Sequence, residues 1–131
     1  MYALKFDGCS KGNPGPSGAG AVLYNDGVEI WANCSYVGKN TNNFAEYSGL
    51  ILGLTEAVNK NIKDLIVYGD SLLVIQQMNK KYKVKSHNLI PLFNDAKELE
   101  KYFDSISYQH IYRNENSRAD ALSNDGLKLI N

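Results

Sequence analysis

Leu65-Ile66-Val67-Tyr68-Gly69-Asp70-Ser71 is the stretch on which the fold turns. Its four consecutive apolar residues form a short continuous run, the pattern of a central strand covered on both faces. Gly69-Asp70 closes the run. In open α/β sheets, ligands gather outside the carboxyl ends of such strands. Asp70 is therefore placed where chemistry collects.

On the C-terminal side, Leu72–Met78 reads as a short helix. A lysine-rich connection follows, with Lys80, Lys81, Lys83 and Lys85 around Tyr82. Leu89, Leu92, Phe93, Ala96, Leu99 and Phe103 then give an amphipathic helix that begins after Pro91 or just before it. Ile106, Tyr108 and His110 alternate as a last strand, and a final helix starts near Ser117 and carries Ala119, Leu122 and Leu129.

On the N-terminal side, Phe44, Tyr47, Ile51, Leu54 and Val58 form one apolar stripe at helical spacing, with Thr41, Asn42 and Asn43 as natural caps before it. Tyr2, Leu4 and Phe6 alternate with Ala3, Lys5 and Asp7 as a first strand. The stretch Ser10–Ser17, rich in glycine and proline, reads as a loop. Strands near Ala19–Tyr24 and Val28–Val37 flank the hairpin signal Asn25-Asp26-Gly27. The order βββαβα(α)βα predicts an α/β fold: a mixed five-stranded sheet, three hairpin strands plus parallel strands, with helices on its faces.

The chain has 131 residues, the usual size of one domain, and no linker or repeat divides it, so residues 1–131 are expected to fold as a single unit. At 44 % hydrophobic residues it can bury a core without disulfide staples. Fourteen basic and fourteen acidic side chains cancel, so any surface for a polyanion must be a local patch. Cys9 and Cys34 have neither the number nor the spacing of a zinc site, and ordinary buried thiols are expected. No signal peptide and no run of membrane-spanning length is present, which makes an intracellular, reducing compartment the default. No oligomer surface is legible, and a monomer is expected.

Four acids stand out by position. Asp7 and Asp70 lie at strand ends, while Glu46 and Asp120 lie in the first turns of two helices. If the two strands are parallel neighbours, all four can converge. Converging carboxylates repel unless protonated or neutralised by cations. An all-oxygen ligand set selects Mg²⁺ or Mn²⁺ over zinc, and two such ions roughly 4 Å apart are suited to in-line attack on a phosphodiester. A second reading stays open. Asn43-x-x-Glu46 and Ser117-x-x-Asp120 fit the capping-box pattern, and Asp7 and Asp70 beside glycines fit turns.

Phe6-Asp7-Gly8 followed by Gly12-Asn13-Pro14-Gly15, then Thr41-Asn42-Asn43-Phe44-Ala45-Glu46-Tyr47, Tyr68-Gly69-Asp70-Ser71 and Asn116-Ser117-Arg118-Ala119-Asp120 resemble, in order, the motifs of the type 1 ribonuclease H family. The likeness spans nearly the whole chain. It implies a ribonuclease H-like fold and an endonuclease that hydrolyses the RNA strand of RNA–DNA hybrids by two-metal-ion catalysis, leaving 5′-phosphate and 3′-hydroxyl ends. Asp7, Glu46, Asp70 and Asp120 would bind two Mg²⁺ ions, with Mn²⁺ as substitute. By the same resemblance Ser10, Gly12, Asn13 and Asn42 would read the 2′-hydroxyl in the minor groove, and Lys39, Thr41 and Ser86 would grip a phosphate of the DNA strand. Tyr82 and its lysines would line the DNA channel.

The chain departs from the family in three places. The longer basic insertion at the lysine segment is absent. Leu72 stands where similar enzymes often have a glutamine. No histidine lies between Arg113 and Asp120, where many members carry one on a mobile loop, and Arg113 is the candidate substitute because a guanidinium can hold a scissile or leaving phosphate. His87 and His110 are read as surface or structural residues. The chain thus looks closest to the compact members of the family.

Overall fold

A computed structural model describes residues 1–129. The elements are β1 (Tyr2–Ser10), β2 (Gly15–Asn25), β3 (Val28–Asn40), α1 (Asn42–Asn59), β4 (Asp64–Gly69), α2 (Leu72–Met78), α3 (Ile90–Glu100), β5 (Ser105–His110) and α4 (Ser117–Leu127), with one 3₁₀ turn, Arg113–Glu115, before α4. The sheet runs β3-β2-β1-β4-β5. β1, β2 and β3 pair antiparallel, and β4 pairs parallel with both β1 and β5. The expected mixed five-stranded sheet is the one observed.

Local chemistry accounts for the connections. Asp26 and Gly27, at φ 51° and 83°, form the two-residue turn between β2 and β3, in the left-handed region that matches the twist of a hairpin. Thr41 caps α1 by accepting from the Phe44 N–H at 3.2 Å. Pro91 stands in the first turn of α3, where its missing N–H costs nothing.

The central strand carries the core on one face only: Leu65 and Val67 are buried, whereas Ile66 and Tyr68, expected to be covered as well, are half-buried because α4 lies over the hairpin strands rather than over β4. Leu65 and Val67 of β4, with Leu4 and Phe6 of β1, pack under Tyr47, Leu50 and Leu54 of α1. Tyr47 is fully buried, and its hydroxyl donates to Gln77 Oε1 of α2 at 2.6 Å, so the one polar tip in that layer is satisfied. On the opposite face α4 covers the three hairpin strands, with Val22, Ala119 and Leu122 as its buried contacts. No helix among the described residues is long and apolar enough to cross a membrane.

Four further expectations need correction. The loop expected over Ser10–Ser17 shrinks to residues 11–14, because β1 and β2 stay paired as far as Ser10↔Ser17. Pro16 is tolerated in β2 beside a register shift against β3, where no ladder N–H is required of it. Asp7 therefore lies inside β1, and what ends beside it is the parallel pairing with β4, at Phe6↔Gly69. Phe103 and Leu129 lie beyond the ends of α3 and α4. Phe103 still fills the core from the turn, whereas Leu129 is 54 % exposed. Cys9 and Cys34 are half-buried rather than buried, and both are free.

Candidate active site

The end of the β1–β4 parallel pairing places Asp7 and Asp70 side by side, and α1 crosses β1 above them with Glu46 just past its first turn rather than in it, because the helix already starts at Asn42. The approach is close: a Cβ on Gly49 would lie 2.4 Å from the Asp7 carbonyl oxygen. Carboxylate oxygens of Asp7, Glu46 and Asp70 all lie within 4.8 Å of one another. Asp120, from the first turn of α4, joins them from the far side of the sheet, and its carboxylate adjoins Asp7. Together with Gly8, Cys9, Ser10, Asn42 and Arg113, the four acids line one pocket of about 420 Å³.

The capping alternative does not hold. Thr41, not Asn43, caps α1, and Glu46 is 9 % exposed with Oε1 lacking a hydrogen-bond partner among the described residues. Asn116 is the N-cap of α4 and makes no side-chain capping bond. Asp7 is not a turn residue, since it lies inside β1, whereas Asp70 does stand in the two-residue bend between β4 and α2.

Charge is stored here. Burial, then the neighbouring Asp70, pushes the Asp7 carboxyl up from 3.8 to about 7. Burial and the adjacent Asp7 likewise hold Glu46 well above the ordinary carboxylate range. An acid whose pKa is raised on folding keeps its proton in the native state where the unfolded chain has lost it. Stability of the metal-free protein should thus decline as pH rises from 3.8 to about 7. Thermal melts at pH 5 and pH 8 test this. The melting temperature of the native chain should fall by several degrees more than that of Asp7→Asn, and equal pH responses would refute the assignment.

A hard divalent cation fits this arrangement. The ligand atoms are all oxygen, one buried carboxylate oxygen is unpartnered, and a positive charge would relieve the crowding that raises both acids. Asp7, Glu46 and Asp70 offer oxygens that could hold it.

Around the acids the other sequence-predicted residues fall into three groups. Ser10, Asn13 and Asn42 form a latch: the Ser10 N–H donates to Asn42 Oδ1 at 2.7 Å, and the Asn42 N–H donates to Asn13 Oδ1 at 2.9 Å. That fastens the loop after β1 to the start of α1 and satisfies an orphan helix donor. Gly12, at φ 96°, stands at the exposed loop tip. Thr41 and Ser86 line a second recess of about 530 Å³ with Asn13, Asn43, Lys83, Lys85 and Asn88. Lys39 is not part of that lining; it lies exposed on β3 opposite Pro16. Tyr82 is 46 % exposed and borders a third groove with Lys80, Lys81, Lys83 and Phe93. Arg113 reaches within 3.9 Å of Asp120 Oδ1 with its guanidinium largely exposed. Leu72 is 47 % exposed at the start of α2, two residues after Asp70. His87 and His110 are both exposed.

Two residues of this region were not singled out by the sequence. Asn88 accepts a hydrogen bond from the Ser86 hydroxyl in the second recess. Asn116 is fully buried. In the sequence the latter appears only as the first residue of the closing motif, with no role of its own.

Comparison with known proteins places the chain among nucleases. The reverse transcriptase-like family profile matches residues 5–126. A bifunctional protein of Mycobacterium tuberculosis is 41 % identical over 126 residues, covering 95 % of this chain and 35 % of that protein, so the chain spans about a third of that relative's length. A ribonuclease H of Pseudomonas fluorescens is 34 % identical over 143 residues, covering 97 % of this chain and 90 % of its own. Among solved structures, LC11-RNase H1 in complex with an RNA/DNA hybrid superposes with a TM-score of 0.92 at 31 % identity, covering 98 % of this chain and 97 % of that one.

Proposed function

The chain belongs to the ribonuclease H family, and we propose on that basis that residues 1–131 form one catalytic domain that hydrolyses the RNA strand of RNA–DNA hybrids. The observation that carries the reading is the meeting of Asp7, Glu46 and Asp70 within 4.8 Å at one end of the parallel strands, with Glu46 Oε1 buried and unpartnered. Asp7, Glu46, Asp70 and Asp120 would hold two Mg²⁺ ions, or Mn²⁺ in their place. When bound, such ions supply positive charge to both the attacking and the departing oxygen of a phosphodiester. The products of that reaction carry 5′-phosphate and 3′-hydroxyl ends.

The chain's own residues supply recognition. The latch of Ser10, Asn13 and Asn42, with Gly12 beside it, offers backbone and amide groups that can both donate to and accept from a 2′-hydroxyl. Thr41 and Ser86, in the recess they share with Lys83 and Lys85, are suited to a phosphate of the DNA strand. Lys39 would act at longer range, as a charge on the approach. The Tyr82 ring offers a platform for a sugar between lysines that neutralise phosphates. Arg113, exposed at the rim of the acids, would hold the scissile or leaving phosphate.

A labelled RNA–DNA hybrid, beside duplex RNA, duplex DNA and single strands, tests the proposal with Mg²⁺ or Mn²⁺. Cutting confined to the hybrid's RNA strand and lost in Asp70→Asn is expected. Binding without cutting, or no preference for hybrid, would overturn it. Arg113→Ala is expected to lower kcat about tenfold or more, the worth of a charge-assisted contact made to phosphate in the reaction, with little change in metal requirement. Unchanged turnover would remove Arg113 from the site.

A further inference from the structure

We infer that Asn116 is a positioning residue that fixes Arg113 and Asp120 together against β1; the inference rests on the reading of the acid pocket given under Proposed function. Both rim residues come from one short segment, the 3₁₀ turn Arg113–Glu115 and the first turn of α4. Asn116 joins the two halves of that segment through its backbone. Its N–H donates to the Arg113 carbonyl at 3.0 Å, and its carbonyl accepts from the Asp120 N–H at 3.0 Å. Its side chain then ties the joint to the sheet: Nδ2 donates to the Phe6 carbonyl at 2.9 Å, across 110 positions of sequence. Phe6 immediately precedes Asp7. One amide thus sets how far Asp120 and Arg113 stand from the acid on β1.

The chemistry of the bond argues for position over stability. Asn116 is wholly buried, yet its Oδ1 has no partner among the described residues. A buried orphan acceptor costs about as much as a single amide bond contributes, so the amide is close to neutral for folding. It also makes no capping bond for the helix it precedes. What it does supply is direction, because an Nδ2 donor aimed at a strand carbonyl admits one placement of the segment. A neighbouring tether is much weaker in this respect. Lys5 Nζ donates to the Glu115 carbonyl at 3.0 Å, but from a flexible stem at an exposed site.

The test separates placement from stability. Asn116→Ser keeps a good cap residue and loses the reach to Phe6; Leu122→Ala, in the same helix, removes buried apolar volume without touching the joint. Calorimetry should show Mn²⁺ binding to Asn116→Ser weakened about tenfold, as for loss of a group that orients a ligand. Mn²⁺ binding to Leu122→Ala should match the native chain despite its lower melting temperature. On RNA–DNA hybrid, kcat should fall in Asn116→Ser with KM unchanged. Equal Mn²⁺ affinities in the two variants would overturn the inference. If Asn116→Ser does not fold, Asn116→Asp, which keeps the volume and drops the donor, decides the same comparison. A native chain that binds Mn²⁺ but leaves hybrid uncut would refute the proposed activity, while the Mn²⁺ comparison would still decide the role of Asn116.

Discussion

Glu46→Gln should raise the melting temperature of the metal-free protein at pH 8 while removing metal-dependent cleavage. Glu46 is nearly buried, has one orphaned carboxylate oxygen, and faces Asp7 and Asp70. Without cations, ionising it costs both desolvation and repulsion, and an uncharged isostere escapes both. A relief of about 1 kcal/mol corresponds to roughly 4 °C for a chain of this size. The same substitution removes one of the four acids proposed to hold the ions. The expected loss of activity is on the order of a thousandfold, about 4 kcal/mol of transition-state stabilisation. Melts with and without Mg²⁺, beside hybrid cleavage, read both effects. Cleavage within tenfold of the native rate would exclude Glu46 from the catalytic set, and an unchanged melting temperature would mean that crowded charge is not stored there.

Gly8→Ala should damage the fold and the site together. A Cβ at residue 8 would lie 2.1 Å from the Ala45 carbonyl carbon and 2.3 Å from the Glu46 nitrogen. Both are backbone atoms of α1, which no rotamer change can move, so the helix start must lift away from β1. Overpacking of this kind costs about 3 kcal/mol or more. The displacement carries Glu46 away from Asp7, so stabilisation by Mg²⁺ should disappear as well. Gly27→Ala is the contrast. Nothing lies within 4 Å of its added Cβ, and only its φ of +83° is strained, which costs about 1–2 kcal/mol and leaves the site intact. If the two variants behave alike in Mg²⁺ response, close approach at Gly8 is not what seats Glu46.

Much of this was legible in the sequence because it rests on periodicity and punctuation. The apolar run at Leu65–Tyr68 marks a central strand, although only Leu65 and Val67 are fully covered, and the Phe44–Val58 stripe needs a sheet beneath it; together they place Asp70 and Glu46 at one edge. The rest depends on pairing between distant segments. Residues 11–17 look like loop by composition, but hydrogen bonds to β1 and β3 extend β2 back to Gly15. Phe103 continues a helical period because the core needs its ring, although the helix has already ended. Lys39 adjoins Thr41 in sequence, yet the strand carries it away from the Thr41 recess. The buried amide of Asn116 has no signal of its own in the sequence, because its partner Phe6 lies 110 positions away.

The route of the chain also sets a schedule. Asp7 belongs to the first strand and Asp120 to the last helix, and the bond that seats that helix spans 110 positions. Contacts of such separation form late, since the entropy of closing a long loop is lost before they return anything. On a ribosome, a nascent chain can assemble the hairpin strands and α1 while Asp120 is still unmade. The proposed cutting centre then stays incomplete until α4 has been made and has docked on the sheet.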